Sequence, residues 1–184
     1  MLGLHARILS INLGVPRSVE WERLTYVTAI FKAPVKGKVR VGRLGLLGDS
    51  QADLTVHGGP NKAVYVYPSE HYAAWREGLR RDLAWGMFGE NLTTKGLMES
   101  SVRVGDRLAA GSAEFIVTSP RFPCFKLGIR FGSMEMVKRF QDSSWSGFYL
   151  AVSKEGETEA GDSLRLTNSD HDEPTIADIF KSER

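Results

Sequence analysis

Apolar residues along this chain occur mainly in short runs that glycine or proline turns separate. Short runs that are rich in β-branched and aromatic residues and bounded by such turns are typical of strands. Six runs fit this pattern, at residues 7–13, 24–31, 38–41, 63–67, 114–118 and 148–152. We therefore predict a mainly β fold with a few helices, of the α+β class, in which the strands form a barrel or a sandwich.

Two further segments, residues 104–108 and 160–164, each place a Gly-Asp pair before an alternating strand pattern. Glycine supplies a positive φ, and the aspartate side chain accepts hydrogen bonds from nearby backbone in a turn. We predict a turn that leads into a strand at both places. We interpret the likeness of the two segments as convergent turn chemistry, because neither belongs to a longer repeat.

Three segments have the periodicity or the start signals of helices. The first begins after Pro68, the second begins at Ser133, and the third begins within residues 172–175. The third runs for only about two turns, so we expect it to be stable only if it docks on the body. The predicted apolar faces comprise Tyr72, Trp75 and Leu79 in the first helix, and Met134, Val137 and Phe140 in the second.

The length of 184 residues, with 42% hydrophobic and 25% charged residues, suits one globular domain with its own core. We predict this domain over residues 1–167 and a short C-terminal tail over residues 168–184. One cysteine cannot form an internal disulfide, and the amino terminus shows neither a leader pattern nor an apolar stretch of membrane-spanning length. We therefore expect a cytoplasmic protein with no membrane partner.

The net charge of +2 is too mild to predict nucleic-acid binding, which usually shows a concentrated basic stripe. Basic residues do gather between residues 32 and 43, beginning with Lys32. This segment is either the solvated face of strands and turns or a pocket for phosphate, and the residues leave both interpretations open. We expect no nucleic-acid partner.

The single cysteine, Cys124, is the best candidate for chemistry. It lies in the run TSPRFPCFKL at residues 118–127, where two prolines stiffen the loop that follows a predicted strand. Arg121 and Lys126 are close enough in sequence to favour the thiolate, which is the form that attacks electrophiles or binds soft metals. The alternative is that Cys124 is a small buried hydrophobe, as free cysteines often are.

A second run, residues 48–64, is rich in Gly, Pro and Asn and leads into an apolar strand. Its His57-Gly58-Gly59 segment is suited to direct backbone N–H groups at an oxyanion or a phosphate, and Lys62 adds a cation. The alternative is a tight turn in which the glycines supply positive φ and His57 caps a strand.

A third run, WGMFGENLT at residues 85–93, combines aromatic rings, glycines and two hydrogen-bonding side chains. It is suited to clamp a flat heteroaromatic ring, with Glu90 and Asn91 hydrogen-bonded to the edge of that ring. It fits equally well a bent strand that exposes Glu90 and buries the aromatic residues. The pattern does not decide between the two interpretations.

Several reaction classes lack their motifs in this sequence. The four histidines form no i, i+4 pair and have no cysteine partner at a zinc-site spacing. Neither a Gly-x-Ser-x-Gly elbow nor a Walker loop occurs. A cysteine-protease pair of Cys124 with His57 stays open, and the distance between the two side chains would test it.

Three of these runs follow one another in the order and spacing of a known family. They are His57-Gly58-Gly59 with Lys62-Ala63-Val64, FGENL at residues 88–92, and PRFPCFKL at residues 120–127. KAPV at residues 32–35 and GDSQAD at residues 48–53 also fit, so the likeness covers roughly residues 5–167. By these motifs the chain resembles a MOSC domain, named for the carboxy-terminal domain of molybdenum-cofactor sulfurase, and specifically its YiiM-like branch.

The resemblance implies a MOSC-type, barrel-like β domain whose cleft holds the molybdenum cofactor, which is built on molybdopterin. It implies that Cys124 is the catalytic residue and metal ligand, or a sulfur carrier, and a soft thiolate suits molybdenum. It also implies that cations neutralise the cofactor phosphate and that an amide and backbone groups orient the pterin. The implied cofactor-binding residues are Lys32, His57, Gly58, Gly59, Lys62, Asn91 and Arg121.

Proteins of this branch are similar to reductases that remove the hydroxyl group from N-hydroxylated compounds. The resemblance therefore implies a molybdenum-cofactor-dependent oxidoreductase with a small-molecule substrate and a separate electron-donor protein. The alternative is a non-catalytic module that carries sulfur or cofactor on a Cys124 persulfide. YiiM-like chains usually continue into a three-helix domain, and we expect the tail at residues 168–184 to be a truncated remnant of it.

Overall fold

The computed structural model describes residues 6–50, 58–169 and 172–183. Within these ranges the chain forms 13 strands and four α-helices, and none of the helices is long and apolar enough to cross a membrane. The strands are β1 (Ala6–Leu13), β2 (Arg17–Trp21), β3 (Leu24–Thr28), β4 (Ala33–Val35), β5 (Val39–Gly42), β6 (Gly45–Leu46), β7 (Val64–Pro68), β8 (Leu92–Lys95), β9 (Arg107–Ala110), β10 (Ala113–Pro120), β11 (Phe148–Lys154), β12 (Gly156–Thr158) and β13 (Ser163–Asn168). The helices are α1 (Glu70–Leu79), α2 (Phe125–Phe131), α3 (Glu135–Ser143) and α4 (Ile176–Ser182), and a 3-10 helix spans Pro60–Lys62.

Seven strands of the described chain close into a barrel, in the order β13, β9, β10, β11, β7, β8 and β1. The ring closes because Ala6 on β1 pairs with Leu164 on β13, and β4 pairs with the other end of β1. Neighbouring strands are antiparallel except β7 and β8, which are parallel. Closure of the ring satisfies the backbone groups that an open sheet edge would expose. The predicted mainly β, barrel-like fold is confirmed.

The barrel interior is filled by alternating apolar positions of its strands. On β10, Phe115 and Val117 are fully buried while Glu114 is exposed, because successive side chains of a strand point to opposite faces. Five of the six predicted runs coincide with strands along most of their length. The run at residues 24–31 is a strand only to Thr28, since the Thr28 hydroxyl accepts a hydrogen bond from the Ile30 N–H and ends the pairing.

Both Gly-Asp segments form the predicted turns. Gly105 and Gly161 have positive φ values of 89° and 101°. The side chains of Asp106 and Asp162 each accept a hydrogen bond from a backbone N–H three residues earlier, at 2.8 and 2.9 Å. The strands that follow, β9 and β13, pair with each other in the barrel.

A second apolar cluster lies outside the barrel, where α1 and α3 cover β7. The rings of Tyr67 and Phe88 stack with 4.5 Å between their centroids, and Trp75 Nε1 donates a hydrogen bond to the Tyr67 hydroxyl at 2.8 Å. Buried aromatic pairs of this kind stabilise a fold beyond the area that they bury. The cluster forms the support on which one wall of the candidate site rests.

The prediction of the buried helix face is confirmed for α1 and is partly wrong for α3. Tyr72 and Trp75 are buried in α1, as their spacing predicts. In α3, Phe140 is buried as predicted, but Met134 is 41% exposed. Helix α3 begins one residue after Met134, and Met136 faces the apolar cluster instead.

Several elements had no prediction, namely β2, β4, β6, β12 and α2. Strand β2 pairs with β3 in a hairpin whose two turn residues, Glu22 and Arg23, both have positive φ. Positive φ at both positions suits a two-residue hairpin, but the residues that usually supply it are Asn and Gly, so the sequence carries little signal. Helix α2 begins directly after Cys124, in a segment interpreted above as a stiffened loop.

Helix α4 docks on the barrel, as its short length requires. Its first turn is closed by a capping box between Thr175 and Asp178, in which each side chain accepts a hydrogen bond from the backbone N–H of the other residue. Phe180 is fully buried and stacks on Phe122, with 5.0 Å between the ring centroids. The helix therefore supports the connection that leads to Cys124. The domain boundary at residue 167 stays a prediction.

Phe180→Ala is expected to lower the free energy of unfolding by about 3–5 kcal/mol, because a buried ring is removed and a cavity remains. Urea unfolding followed by tryptophan fluorescence measures the change. Lys181→Ala is the matched control, since Lys181 is exposed on the same helix and its removal should change stability by less than about 0.5 kcal/mol. Equal stability of the two variants would contradict the docking of α4.

Candidate functional site

A cleft opens beside the barrel, between the end of β3, the start of β7 and the connection from β10 to α2. It brings together five of the residues that the sequence singled out: Cys124, Lys32, Lys62, Asn91 and Arg121. The other lining residues are Thr28, Ala29, Ile30, Ser50, Tyr65, Gly89, Phe122, Lys126 and Tyr149. These residues are far apart in the chain, and only the closure of the barrel places them around one space.

Cys124 lies at the wall of this cleft and is half-buried. It is the N-cap residue of α2, with an extended backbone, and its carbonyl accepts a hydrogen bond from the Leu127 N–H at 2.9 Å. The interpretation of Cys124 as a hydrophobe sealed in the core is therefore wrong. A glycine with φ of +73°, Gly132, ends α2, and this glycine is the signal by which the helix could have been predicted.

The cleft is cationic. Lys32, Lys62, Arg121 and Lys126 line it, and no carboxylate of the described residues does so. Lys62 ends the 3-10 helix, and its ammonium lies 5.8 Å from the centroid of the Tyr149 ring. Four cations around one concave surface create a positive potential that attracts anions.

Arg121 is the most deeply held of these cations, with 6% of its surface exposed. Its Nη1 donates a hydrogen bond to the Phe88 carbonyl at 2.7 Å and a longer one to the Tyr65 hydroxyl at 3.4 Å. Its guanidinium also lies 4.8 Å from the centroid of the Tyr65 ring. Burial alone lowers the pKa of Arg121, but Tyr65, Tyr149 and the Cys124 thiol outweigh it, so that its pKa stands above the usual value.

Lys32 is buried, so this part of the basic segment is not a solvated face. Its Nζ lies 2.5 Å from Oδ1 of Asp49, and the two side chains are 8% and 5% exposed. Burial lowers the pKa of Lys32, and the Asp49 carboxylate opposes that effect only in part. The remaining cations of the segment, such as Lys38 and Arg40, are exposed as a solvated face would be.

The sequence pattern gave no signal for Asp49, nor for the lining residues Tyr65 and Tyr149. Besides Lys32, Asp49 accepts hydrogen bonds from the Gly14 backbone N–H at 2.8 Å and from Asn91 Nδ2 at 2.9 Å. Asn91 in turn accepts a hydrogen bond from the Tyr65 N–H at 3.0 Å. One carboxylate thus joins three segments of the cleft wall. GDSQAD belongs to the family pattern, but its residues alone indicate no role for Asp49.

The two predicted glycines, Gly58 and Gly59, lie outside the lining of the cleft. They lead into the 3-10 helix that ends at Lys62, and Gly59 has a positive φ of 89°. His57 lies outside the described residues, and so its roles as a cofactor ligand or as a partner of Cys124 stay predictions. Among the described residues, no cluster of His, Cys, Asp and Glu side chains could hold a metal ion.

The run at residues 85–93 does not clamp a ring in the cleft. Phe88 is in the apolar cluster, and Glu90 is fully buried rather than exposed or directed at a ligand. Glu90 accepts hydrogen bonds from the Tyr72 hydroxyl at 2.5 Å, the Thr93 hydroxyl at 2.8 Å and two backbone N–H groups. Each alternative was thus wrong about Glu90, and the second was right about the buried aromatic residues.

Gly89 is the one residue of that run, besides Asn91, that reaches the cleft. Its φ is +81°, and a Cβ atom there would lie 2.8 Å from Cγ1 of Ile30. The wall of the cleft therefore requires glycine at this position, both for the backbone conformation and for space.

The protein is a closed seven-strand β-barrel with a cationic cleft that has a cysteine in its wall. Sequence comparison assigns its family. The MOSC domain model matches residues 53–165, which is more than half of the chain. The chain therefore belongs to the MOSC domain family. Its fold and family indicate a role related to the molybdenum cofactor.

Three relatives illustrate the likeness. The chain is 46% identical over 159 residues to the uncharacterized protein YflK of Bacillus subtilis, covering 86% of this chain and 72% of that protein. The crystal structure of YiiM from Geobacillus stearothermophilus matches with a TM-score of 0.81 and 35% identity, covering 97% of this chain and 83% of that one. A protein named Reductase from Gibberella moniliformis is 35% identical over 145 residues, which are 76% of this chain and 25% of that protein.

Replacement of either partner of the buried Lys32–Asp49 pair, by Lys32→Met or Asp49→Asn, should lower the free energy of unfolding by about 3–5 kcal/mol, because each change leaves a buried charge unpaired. The double variant should lose less than the sum of the two single changes, since it buries no unpaired charge. Urea unfolding of the four proteins measures this coupling. The exposed pair Lys154 and Glu114, at 3.4 Å, is the control and should couple by less than about 1 kcal/mol.

The pH dependence of stability should contain a contribution from Glu90. Burial raises the pKa of Glu90 above its ordinary value of 4.5, although its hydrogen bonds oppose the rise. The folded state thus keeps the proton to higher pH than the unfolded state, and the contribution of Glu90 is greatest below pH 4.5 and is lost as pH rises through its folded pKa. Glu90→Gln should remove this decline in the free energy of unfolding. The exposed Glu135→Gln is the control, and equal pH profiles for the two variants would refute the assignment.

Proposed function

We propose that this protein binds the molybdenum cofactor in the cleft, with Cys124 as metal ligand and catalytic residue, and reduces N-hydroxylated small molecules. One observation carries the proposal: the thiol of Cys124 and four cationic side chains line the same cleft, and no carboxylate of the described residues lines it. The MOSC family and the relative named a reductase support the same class of reaction.

The side chains of the cleft fit the chemistry of that cofactor. Its phosphate is an anion, and Arg121 offers a guanidinium that is already buried and oriented by the Phe88 carbonyl. Its metal accepts soft ligands, and Cys124 carries the single thiol of the chain. Lys32 is the weaker candidate for the phosphate, because its ammonium is paired with Asp49.

Each residue then has a role of its own. Arg121 and Lys62 bind the phosphate, the amide of Asn91 stays locked to Asp49 and keeps the wall in place, and Tyr149 limits the access of water. When bound, the cofactor supplies the redox chemistry that no side chain of the protein can perform. His57 remains a candidate for the orientation of the pterin, whereas Gly58 and Gly59 do not line the cleft.

The reaction also requires electrons from outside. Conversion of an N–OH group to N–H consumes two electrons and two protons and releases one water molecule. The proposal therefore includes a separate electron-donor protein.

The test compares Cys124→Ser with the parent protein, both expressed in a host that makes the cofactor. Turnover of an N-hydroxylated amidine with reduced methyl viologen should fall by at least about 100-fold, because the variant lacks the metal ligand. Lys62→Gln should lower the molybdopterin content of the purified protein, and Lys154→Gln, which changes an exposed lysine away from the cleft, should not. Full turnover by Cys124→Ser would refute the proposal.

Mass analysis of the same preparations distinguishes the second candidate function, a carrier of sulfur or cofactor. Cys124 is half-buried at the wall of an open cleft, so a persulfide there would be within reach of an acceptor. A labile addition of one sulfur atom to Cys124, without molybdopterin and without turnover, would favour the carrier. Bound molybdopterin with turnover supports the enzyme.

A further inference from the structure

Two arginines share one aromatic ring next to the cleft. The guanidinium carbon of Arg17, on β2, lies 3.5 Å from the centroid of the Phe31 ring, and that of Arg130, on α2, lies 5.0 Å from the same centroid. Phe31 stands in sequence between Ile30 and Lys32, which both line the cleft. Stacking on an aromatic face holds each guanidinium in a defined place.

These arginines have no acidic partner in the described part of the chain. No carboxylate of residues 6–50, 58–169 and 172–183 forms an ion pair with Arg17 or Arg130, or with Arg81, which lines a hollow together with Phe131 at the end of α2. The Nε of Arg130 is buried and has no hydrogen-bond partner there. Burial lowers the pKa of Arg130, and the charges of Arg17 and, more weakly, Arg81 lower it further, while the buried Glu90 opposes them. The fold thus keeps like charges close together at a cost in stability.

The cluster is continuous with the mouth of the cleft. Lys126 lines the cleft and precedes Arg130 by four residues on α2, so both side chains lie on one face of that helix. The β2–β3 hairpin packs against α2, because the rings of Tyr26 and Phe125 are in contact at 5.2 Å between centroids and Arg17 shares the Phe31 ring with Arg130. A positive surface therefore extends from the cleft across α2 to the hairpin.

Apolar side chains are exposed on the same surface. By the pairing register of the hairpin, Leu24 is on the same face as Arg17 and Tyr26, and it is 59% exposed. Phe125, at the start of α2, is 39% exposed. Exposed apolar side chains among arginines are typical of a surface that binds another protein, whereas a small anion would need only the charges.

We propose that the surface formed by Arg17, Arg81, Arg130, Leu24 and Phe125, which we call the guanidinium face, is the docking site of an acidic electron-carrier protein. This inference rests on the proposed function, because it supplies the donor which that reaction requires. Charge complementarity favours an acidic occupant: cations that repel one another and form no ion pair with a described carboxylate are stabilised by a partner that brings acidic side chains. Its position at the mouth lets the carrier deliver electrons without entering the cleft.

The test measures binding of a flavodoxin, an acidic protein that carries FMN, to the full chain by surface plasmon resonance. The affinity should fall as salt concentration rises, since exposed charges are screened. Arg17→Gln/Arg81→Gln, which changes two exposed residues, should raise Kd on the order of tenfold. Arg17→Lys/Arg81→Lys keeps the charges and should bind almost as the parent protein does.

Two controls isolate the charge of this face. Arg165→Gln removes an exposed guanidinium from β13, outside the guanidinium face, and should leave Kd unchanged. Cytochrome c, a basic electron carrier, should not bind.

Turnover with reduced methyl viologen should be the same in the parent protein and in the Gln double variant, because a small donor needs no docking face.

The outcomes separate this inference from the proposed function. Equal Kd values for the parent protein and the Gln double variant would overturn the docking face, even if viologen drives turnover. Stronger binding to DNA or to vesicles of anionic lipid than to flavodoxin would overturn it as well. Salt-dependent binding of flavodoxin that the Gln double variant weakens supports the docking face, even if viologen drives no turnover and the proposed reductase function fails.

Discussion

The candidate site depends on a buried guanidinium that is held without a carboxylate. Arg121 is oriented by the carbonyl of Phe88 and by the hydroxyl and ring of Tyr65, which leave its positive charge uncompensated. An acidic partner would have neutralised that charge and closed the wall of the cleft. Because neutral groups hold it instead, the cleft keeps an attraction for anions. Phe88 belongs to the aromatic cluster outside the barrel, so the packing of that cluster fixes the carbonyl that holds Arg121.

Two buried carboxylates perform the opposite task and fix backbone. Asp49 joins Gly14, Lys32 and Asn91, and Glu90 closes the turn before β8 through four donors. Buried acids are costly unless hydrogen bonds satisfy them, and here both are fully used within the wall. The two carboxylates thus hold the backbone and side chains of the cleft wall, whereas the cations and the thiol of Cys124 line the cleft itself. The guanidinium face beside the mouth continues the same charge distribution at the surface.

Local patterns predicted much of the fold and part of the site. The apolar runs located six strands, although the run at residues 24–31 is a strand only to Thr28. The Gly-Asp pairs located the turns before β9 and β13, because both signals arise from neighbouring residues. The motif around Cys124 directed attention to the cleft, together with Arg121 and Lys62. The hairpin turn at Glu22 and Arg23 and the start of α3 were missed or misplaced, since tertiary packing overrides weak local preferences there.

The sequence by itself determined three things about this protein: its high content of strands, its family motifs and its single thiol. Each of them depends on residues that are close together in the chain. Only the tertiary structure decided which residues share the cleft. Glu90 and Asn91 are adjacent in sequence, yet one is sealed under the wall and the other borders the open space. Asp49 reaches Lys32 and Asn91 across 17 and 42 residues, and only the folded chain brings residues so far apart in sequence into contact.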